Sequence, residues 1–427
     1  MKIAKDFVRV HRQLLIFTVV TVGVYLLWLF RYPHLMLARE HSQLFLCNKD
    51  YFCERLAEPG GLARYLGEGI VQFFIIPNYG ALWYPLLFVL AVWQTWRLLP
   101  NGKLGKYRRN LLSLIPALLL LYFWTDPKIP MTLTIAVLMA LGAMNLIRPL
   151  SQKWSLVATA VAIPVGYWLI GPAIVLVALY HLRWLCKDEK KSSRGACAVG
   201  TAALVILLVG CIFVSSWMVP HPVRNLFCGL DYHWNTIETK DKEETPDKIG
   251  TIEEMEYDRL LRKQDWAGIT AKALKQEPKS LAVQIGVLYA RFRLGEIGQQ
   301  DMIDQMQRLH YNRKVLNSEE AAFILSDVYL PIGMVNMSQR AAFEAMESIP
   351  NYGKSGRALQ RLVETNLITG NYEVALKYLS ILDETLFYSK WVEKMRPLAE
   401  NPQLIQKHPV YQPLQKIYSE SIDGFFY

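Results

Sequence analysis

Residues 131–147 read MTLTIAVLMALGAMNLI, a run of seventeen residues with no charged side chain. A helix that crosses a membrane needs about 20 mostly apolar residues, or somewhat fewer where flanking side chains reach the interface. Six other stretches are mostly apolar, with Arg97 and Arg183 as their only Lys or Arg residues: 13–30, 81–98, 110–125, 154–170, 172–185 and 196–219. The sequence therefore predicts an all-α protein that begins with a bundle of about seven transmembrane helices.

Two of these stretches, 154–170 and 172–185, meet at Gly171-Pro172 and could instead form one kinked segment. Positive charges favour two crossings, because Lys and Arg concentrate on the cytoplasmic side of membrane proteins. With two crossings, all the basic clusters between the spans fall on one side, whereas one crossing would put Lys153 and the cluster at 187–194 on opposite sides. The N-terminus is therefore expected in the cytoplasm and the C-terminal domain outside.

The charge of the chain is unevenly distributed. Residues 1–219 carry 22 Lys+Arg and 9 Asp+Glu, whereas residues 220–427 carry 25 and 28, so the net charge of +10 originates in the apolar half. Basic residues that flank apolar runs orient a protein in the bilayer, and no nucleic-acid partner is expected. The sequence Arg31-Tyr32-Pro33-His34 lacks the small-x-small pattern of a signal-peptide cleavage site, so the first span is expected to be retained.

The first outer loop, 31–80, is rich in apolar and aromatic residues. Asn48-Lys49-Asp50 is typical of a helix start, and Pro59-Gly60-Gly61 is typical of a helix end. A second helix is expected over 62–75, and both are predicted to lie at the membrane surface. Cys47 and Cys53 lie in this loop and could form a disulfide in an oxidising compartment.

A different pattern begins after the last apolar stretch. Residues 220–250 contain a Pro-His-Pro break and a charged run without large apolar residues, which predicts a linker. Residues 251–427 then alternate helical periods with short breaks. The predicted helices are 253–263, 266–276, 280–294, 299–309, 318–329, 338–347, 356–368 and 372–383, with one or two more after 387.

Two junctions in this region share a pattern. Gln264-Asp265-Trp266 and Gly370-Asn371-Tyr372 each place a small or polar turn before a helix that starts with an aromatic residue. This pattern resembles the tetratricopeptide repeat (TPR), in which helix pairs of about 34 residues stack into a curved solenoid. A soluble TPR-like α-solenoid is the resulting prediction, and an irregular helical bundle is the alternative.

The sequence contains no strong catalytic motif. It has no phosphate loop, no dinucleotide-binding turn, no nucleophile elbow and no pairing of His or Cys with metal-ligand spacing, so neither a cofactor nor a metal ion is expected. The predicted spans also carry no ionisable side chain at mid-membrane, which argues against transport.

Three carboxylates near the predicted outer face are candidate catalytic residues: Glu40, Asp50 and Asp126. A carboxylate at this interface could deprotonate an acceptor hydroxyl, or coordinate a divalent ion, while a lipid-linked sugar lies alongside. Ordinary solvated charges on interfacial helices are the alternative interpretation.

The layout of one span, a long outer loop with two surface helices, six more spans and an outward domain resembles the GT-C glycosyltransferases. That resemblance implies a polyprenyl-phosphate sugar donor and an acidic catalytic residue early in the first outer loop. Glu40 is the matching position and Asp50 the second choice. The sequence departs from the GT-C pattern because it lacks an Asp-Asp or Asp-Glu pair.

A second resemblance covers nearly the whole chain. Gln43-Leu44-Phe45, Asp50-Tyr51-Phe52, Pro59-Gly60-Gly61-Leu62 and Gln72-Phe73-Phe74 in the loop resemble an uncharacterised family of bacterial multi-pass proteins with TPR-like tails. The stretches 339–344 and 367–372 carry the same resemblance in the tail. It implies a bacterial inner membrane and a periplasmic C-terminal domain.

Two functions are consistent with these features. The first is a membrane scaffold whose TPR-like domain, predicted at 251–427, binds a periplasmic protein or peptide while 1–219 anchor it in the lipid bilayer. The alternative is a GT-C-like transferase that takes sugar from a lipid-linked donor, with Glu40 or Asp50 as the catalytic carboxylate.

Overall fold

The computed structural model describes residues 15, 17–100, 105–185, 194–234, 251–311, 318–349 and 353–420. Every regular element within these ranges is a helix, so the predicted all-α class is confirmed. Residues 235–250 of the predicted linker lie outside the described residues, as do the basic clusters at 2–12 and 187–191.

Internal contacts divide the chain into two compact units. The first unit comprises Met1–Pro33 and Lys49–Glu238, and the second comprises His34–Asn48 and Thr239–Tyr427. The short segment His34–Asn48, called the strap below, comes from the loop predicted at 31–80 but belongs to the C-terminal helical unit. The second unit is therefore assembled from two stretches that are far apart in sequence.

Helices of the first unit follow the predicted apolar stretches closely. They are Phe17–Arg31, Lys49–Leu56, Gly61–Val71, Pro77–Leu98, Lys106–Phe123, Met131–Ile147, Gln152–Ile170, Val175–Leu185, Arg194–Met218 and Val223–Cys228. The helices Lys49–Leu56 and Gly61–Val71 correspond to the two predicted in the loop. Cys47 and Cys53, the pair considered for a disulfide, are free cysteines.

Length and apolar composition single out few helices as membrane spans. Among the described residues, the run Trp154–His181 is long and apolar enough to cross a membrane. A second run qualifies only if Phe17–Arg31 and Pro33–His41 are counted as one broken span. Met131–Ile147 and Ala202–Met218 are apolar but shorter. The seven spans therefore remain a prediction.

The run Trp154–His181 folds back on itself. Ser155 Oγ lies 3.3 Å from His181 Nδ1, whereas 26 residues of straight helix would separate them by about 39 Å. The reversal occurs at Gly171, whose φ of +70° and ψ of −154° are accessible only to glycine. Residues Gln152–Ile170 and Val175–Leu185 thus form an antiparallel helical hairpin.

The second unit consists of the strap and a series of helical pairs. Its helices after the strap are Ile252–Arg262, Trp266–Lys275, Leu281–Arg293, Gln299–Tyr311, Glu319–Tyr329, Val335–Ser348, Gly356–Thr369, Tyr372–Asp383, Ser389–Glu400 and Tyr411–Glu420. Their bounds differ from the predicted ones by at most a few residues. Local capping explains this agreement, because Thr251, Asp265, Ser318 and Ser355 each accept a backbone N–H in the first turn of the following helix.

Four turns between paired helices share one backbone geometry. Gln264, Gly295, Gly333 and Gly370 have positive φ values of 55°, 75°, 90° and 83°. In each turn the amide of the next residue donates a hydrogen bond of 2.9–3.0 Å to the carbonyl five residues before it. This left-handed ending closes a helix and redirects the chain. The four turns follow one another at intervals of 31, 38 and 37 residues.

Candidate functional site: a buried charged cluster in the second unit

The C-terminal part of the strap, from Glu40 to Asn48, is hydrogen-bonded to other residues of the second unit. Near its end, the amide of Cys47 donates a 2.7 Å hydrogen bond to the carbonyl of Glu384. The Asn48 side chain also bonds the Glu384 carboxylate. Between these bonds and the start of the strap, three consecutive polar residues, Glu40, His41 and Ser42, are buried.

Glu40 is held by a tyrosine from the far end of the chain. Tyr388 donates a 2.6 Å hydrogen bond to Glu40 Oε1, and only 1% of Glu40 is exposed. Burial raises the pKa of Glu40, although the Tyr388 hydroxyl and the charges of Arg262 and Arg357 oppose this effect. The carboxyl group therefore faces protein rather than solvent.

His41 lies between two arginines. Its Nδ1 is 3.2 Å from Arg357 Nη1, its Nε2 contacts Arg262, and its ring meets the edge of Phe323 with centroids 5.3 Å apart. Burial and the positive charges of Arg357 and Arg262 lower the pKa of His41 well below its usual range. His41 is therefore neutral at physiological pH and adds no positive charge to the cluster.

Arg357 is the most highly bonded residue of the cluster. Its guanidinium donates to both carboxylate oxygens of Asp258 at 2.7 and 3.0 Å and to Asp327 at 2.5 Å. Asp327 also receives Arg361 at 2.5 Å. Burial alone would raise the pKa of Asp327, but Arg357 and Arg361 lower it to about 2. Paired guanidinium and carboxylate groups of this kind tolerate burial because each neutralises the other.

Glu319 is a second buried carboxyl group that meets the strap. Ser42 Oγ donates to it at 2.9 Å, and Glu319 is 1% exposed. Burial and the neighbouring charge of Glu320 raise its pKa well above the usual range, while Ser42 and Arg357 partly oppose this rise. We conclude that Glu319 binds a proton more tightly in the folded protein than in the unfolded chain.

A separate buried ion network lies in the first unit. Arg64 contacts Glu68 at 3.0 Å and Asp231 at 2.8 Å. Tyr51 donates to Glu68 at 2.6 Å, and Arg55 contacts the same carboxylate at 3.0 Å. These bonds join the helices Lys49–Leu56 and Gly61–Val71 to the segment that follows the last apolar helix.

The three predicted catalytic carboxylates do not share one unit. Glu40 belongs to the second unit, whereas Asp50 and Asp126 belong to the first. Asp50 is exposed in the first turn of Lys49–Leu56, and the Asp126 carboxylate accepts the Lys128 amide at 2.9 Å in a turn. Their catalytic roles remain predictions. Within the described residues, no group of His, Cys, Asp or Glu is arranged to hold a metal ion.

Sequence reasoning missed the residues that surround the strap. Glu319 and Glu320 follow the N-cap Ser318 and resemble an ordinary solvated helix start. Arg357 lies in the first turn of the helix that Ser355 caps, and nothing in the neighbouring sequence indicates that it is buried. The signal in the sequence is the run of five consecutive polar residues at 39–43.

Replacing Arg357 with Met should destabilise the second unit by about 3–5 kcal/mol, because the buried carboxylate of Asp258 would lose its guanidinium partner and Asp327 would keep only Arg361. Urea unfolding of the detergent-solubilised full chain, followed by tryptophan fluorescence, measures this loss. Arg340→Met is the matched control, since Arg340 lies in an exposed pair with Glu344 at 3.7 Å and should change stability by less than about 0.5 kcal/mol. Equal stabilities of the two variants would contradict the structural role of Arg357.

Replacing Glu319 with Gln should reduce the pH dependence of stability. A carboxyl group with a raised folded pKa contributes stability that is complete below its unfolded pKa and is lost as pH rises through the folded value. The free energy of unfolding should therefore fall less in Glu319→Gln than in the natural protein between about pH 5 and about pH 8. Glu344→Gln is the control, because Glu344 is only half-buried and pairs with Arg340 at 3.7 Å. Parallel curves for all three proteins would refute a protonated Glu319.

A family model matches residues 8–427, which include the strap and every residue of the charged cluster. Comparison with the curated proteins and with the solved structures gives no match. The expectation of an uncharacterised family that covers nearly the whole chain is thus confirmed. The chain belongs to the family of unknown function DUF6057.

Proposed function

We propose that this protein is a multi-pass membrane protein of the bacterial inner membrane whose second unit, a TPR-like helical domain, binds a partner protein in the periplasm. The observation that carries this proposal is the burial of the strap within the second unit, through Glu40 on Tyr388 and Ser42 on Glu319. This packing bears directly on the number of membrane crossings.

The strap restricts the number of times that the chain after residue 49 can cross the membrane. It follows the first predicted span directly, and it packs with helices that come after the last predicted span. Both ends of the intervening chain must therefore lie on one side of the membrane, which requires an even number of crossings between residues 49 and 250. Six predicted spans satisfy this condition, whereas the reading with one kinked crossing at 154–185 leaves five and does not. The hairpin at Gly171 supports the same count.

The surface of the first unit also supports a lipid environment. Large apolar side chains are exposed on several of its helices, among them Leu86 at 56%, Phe213 at 58% and Trp217 at 86%. In the same unit, Arg64 and Glu68 are buried. Contiguous exposed apolar surface is characteristic of contact with membrane or with another protein.

The repeated turns support the TPR-like interpretation of the second unit. Their intervals of 31, 38 and 37 residues lie near the TPR period of about 34 residues. Helical pairs of this kind bury their apolar faces by stacking on the next pair and leave an extended surface for a partner. A scaffold role follows from such a surface.

The position of Glu40 favours the scaffold over the GT-C-like transferase. A general base must reach the proton that it abstracts, but Glu40 is 1% exposed and bonded to Tyr388. In the scaffold, Glu40 is a structural residue of the strap. The transferase alternative predicts instead that Glu40→Gln together with Asp50→Asn alters the envelope glycans of cells that insert the protein normally.

Single cysteines in an otherwise cysteine-free chain should report on which side of the membrane each segment lies. A membrane-impermeant maleimide applied to spheroplasts should label both Cys47, in the strap, and Leu274→Cys, which is 89% exposed in the natural protein. Lys103→Cys, in a predicted cytoplasmic loop, should react only after permeabilisation. Labelling of Cys47 but not of Leu274→Cys in sealed spheroplasts would contradict an even number of intervening crossings.

Partner binding is tested by copurification from solubilised membranes. The full chain should retain a reproducible set of envelope proteins that a chain ending at residue 250 loses, provided that both chains insert to the same level. Arg340→Met, at its exposed ion pair, should retain the full set. An unchanged set after truncation would exclude the second unit as the binding domain.

A further inference from the structure

The second unit contains a cavity of about 410 Å³ on one face of its helical pairs. The first helices of four successive pairs contribute to its lining, through Arg262, Arg293, Asp327 and Arg361. Its volume lies in the range of pockets that bind small ligands or a few residues of a peptide.

The charge of the lining is positive. Four guanidinium groups, those of Arg262, Arg293, Arg357 and Arg361, face two carboxylates, those of Asp327 and Glu364. Arg357 and Arg361 are neutralised by these carboxylates and by Asp258. Among the described residues, no carboxylate lies within ion-pair distance of Arg262 or Arg293. These two guanidinium groups therefore carry uncompensated charge, although Arg262 contacts His41 and Arg293 donates to Tyr289.

Aromatic side chains position the guanidinium group of Arg293. Its Nη1 donates a 3.0 Å hydrogen bond to Tyr289, and its Cζ lies 5.0 Å from the centre of the Trp266 ring. Trp266 and Tyr289 meet edge to face at 5.5 Å, which fixes this platform. A guanidinium that is stacked on an aromatic ring loses little conformational freedom when it binds a carboxylate.

The strap places a carboxylate near two arginines of the lining. The charges of Arg262 and Arg357 lower the pKa of Glu40, and both arginines line the cavity. Arg293, farther along the same face, carries the same group.

We infer that the cavity binds an acidic segment of a partner protein, with a carboxylate on Arg293 and Arg262. This inference rests on the proposed scaffold function and names the chemistry of the partner. Since guanidinium and carboxylate groups pair with two parallel hydrogen bonds, glutamate and aspartate side chains fit this site better than a spherical anion does.

Fluorescence polarisation of a fluorescein-labelled hexaglutamate peptide tests the inference on the full chain in detergent. The peptide should bind, more weakly as salt increases, and Arg293→Gln should reduce the affinity about tenfold through loss of one charged hydrogen-bonding group. Arg291→Gln is the control, because Arg291 lies on the same helix but pairs with Glu296 at 3.3 Å outside the cavity. It should bind as the natural protein does.

Equal affinity of Arg293→Gln and Arg291→Gln would overturn the assignment, as would equal binding of a hexaglutamine peptide. Arg293 is exposed, so the substitution should leave the fold intact, and an unchanged urea unfolding curve verifies this. If Arg293→Gln retains every copurifying protein that truncation at residue 250 removes, the cavity assignment fails while the scaffold function stands.

Discussion

The buried guanidinium of Arg357 is the group on which the second unit depends. A charge removed from water is costly unless it is paired and hydrogen-bonded, and Arg357 meets this condition only where Asp258 and Asp327 converge. These three residues come from three different helices, so their pairing fixes the helices against one another. The strap completes the arrangement by placing His41 against Arg357 and Ser42 against Glu319.

In the proposed membrane arrangement, the strap also limits the number of crossings. Residues on both sides of the predicted span region belong to one packed unit, so that arrangement requires an even number of crossings between them. The proposal counts the hairpin at Gly171 as two crossings, and its turn has a conformation that only glycine adopts easily. Hydropathy treats Trp154–His181 as one continuous run, but the contact between Ser155 and His181 shows that it turns back.

Local features of the sequence were sufficient to predict the helices of the second unit. Capping residues such as Asp265 and Ser318, and the glycine at 370, act within one or two turns of their own position, so their effect is visible in a short stretch of sequence. The strap could not be predicted in this way. Glu40 and its partner Tyr388 are 348 residues apart, and a polar run in a loop normally indicates solvent exposure. For the same reason Glu319 and Arg357 were not recognised as members of a site.

A cysteine pair tests whether the strap packs against the helices of the second unit. In a cysteine-free chain, Ser42→Cys with Glu319→Cys places the two thiols at positions whose natural side chains are hydrogen-bonded at 2.9 Å. Because a cysteine side chain is shorter than glutamate, a short bifunctional thiol reagent should join the two thiols in membranes, and it should not join those of Ser42→Cys with Glu344→Cys. Free reaction of both thiols with maleimide in the first pair, as in the second, would contradict the burial of the strap in the helical unit.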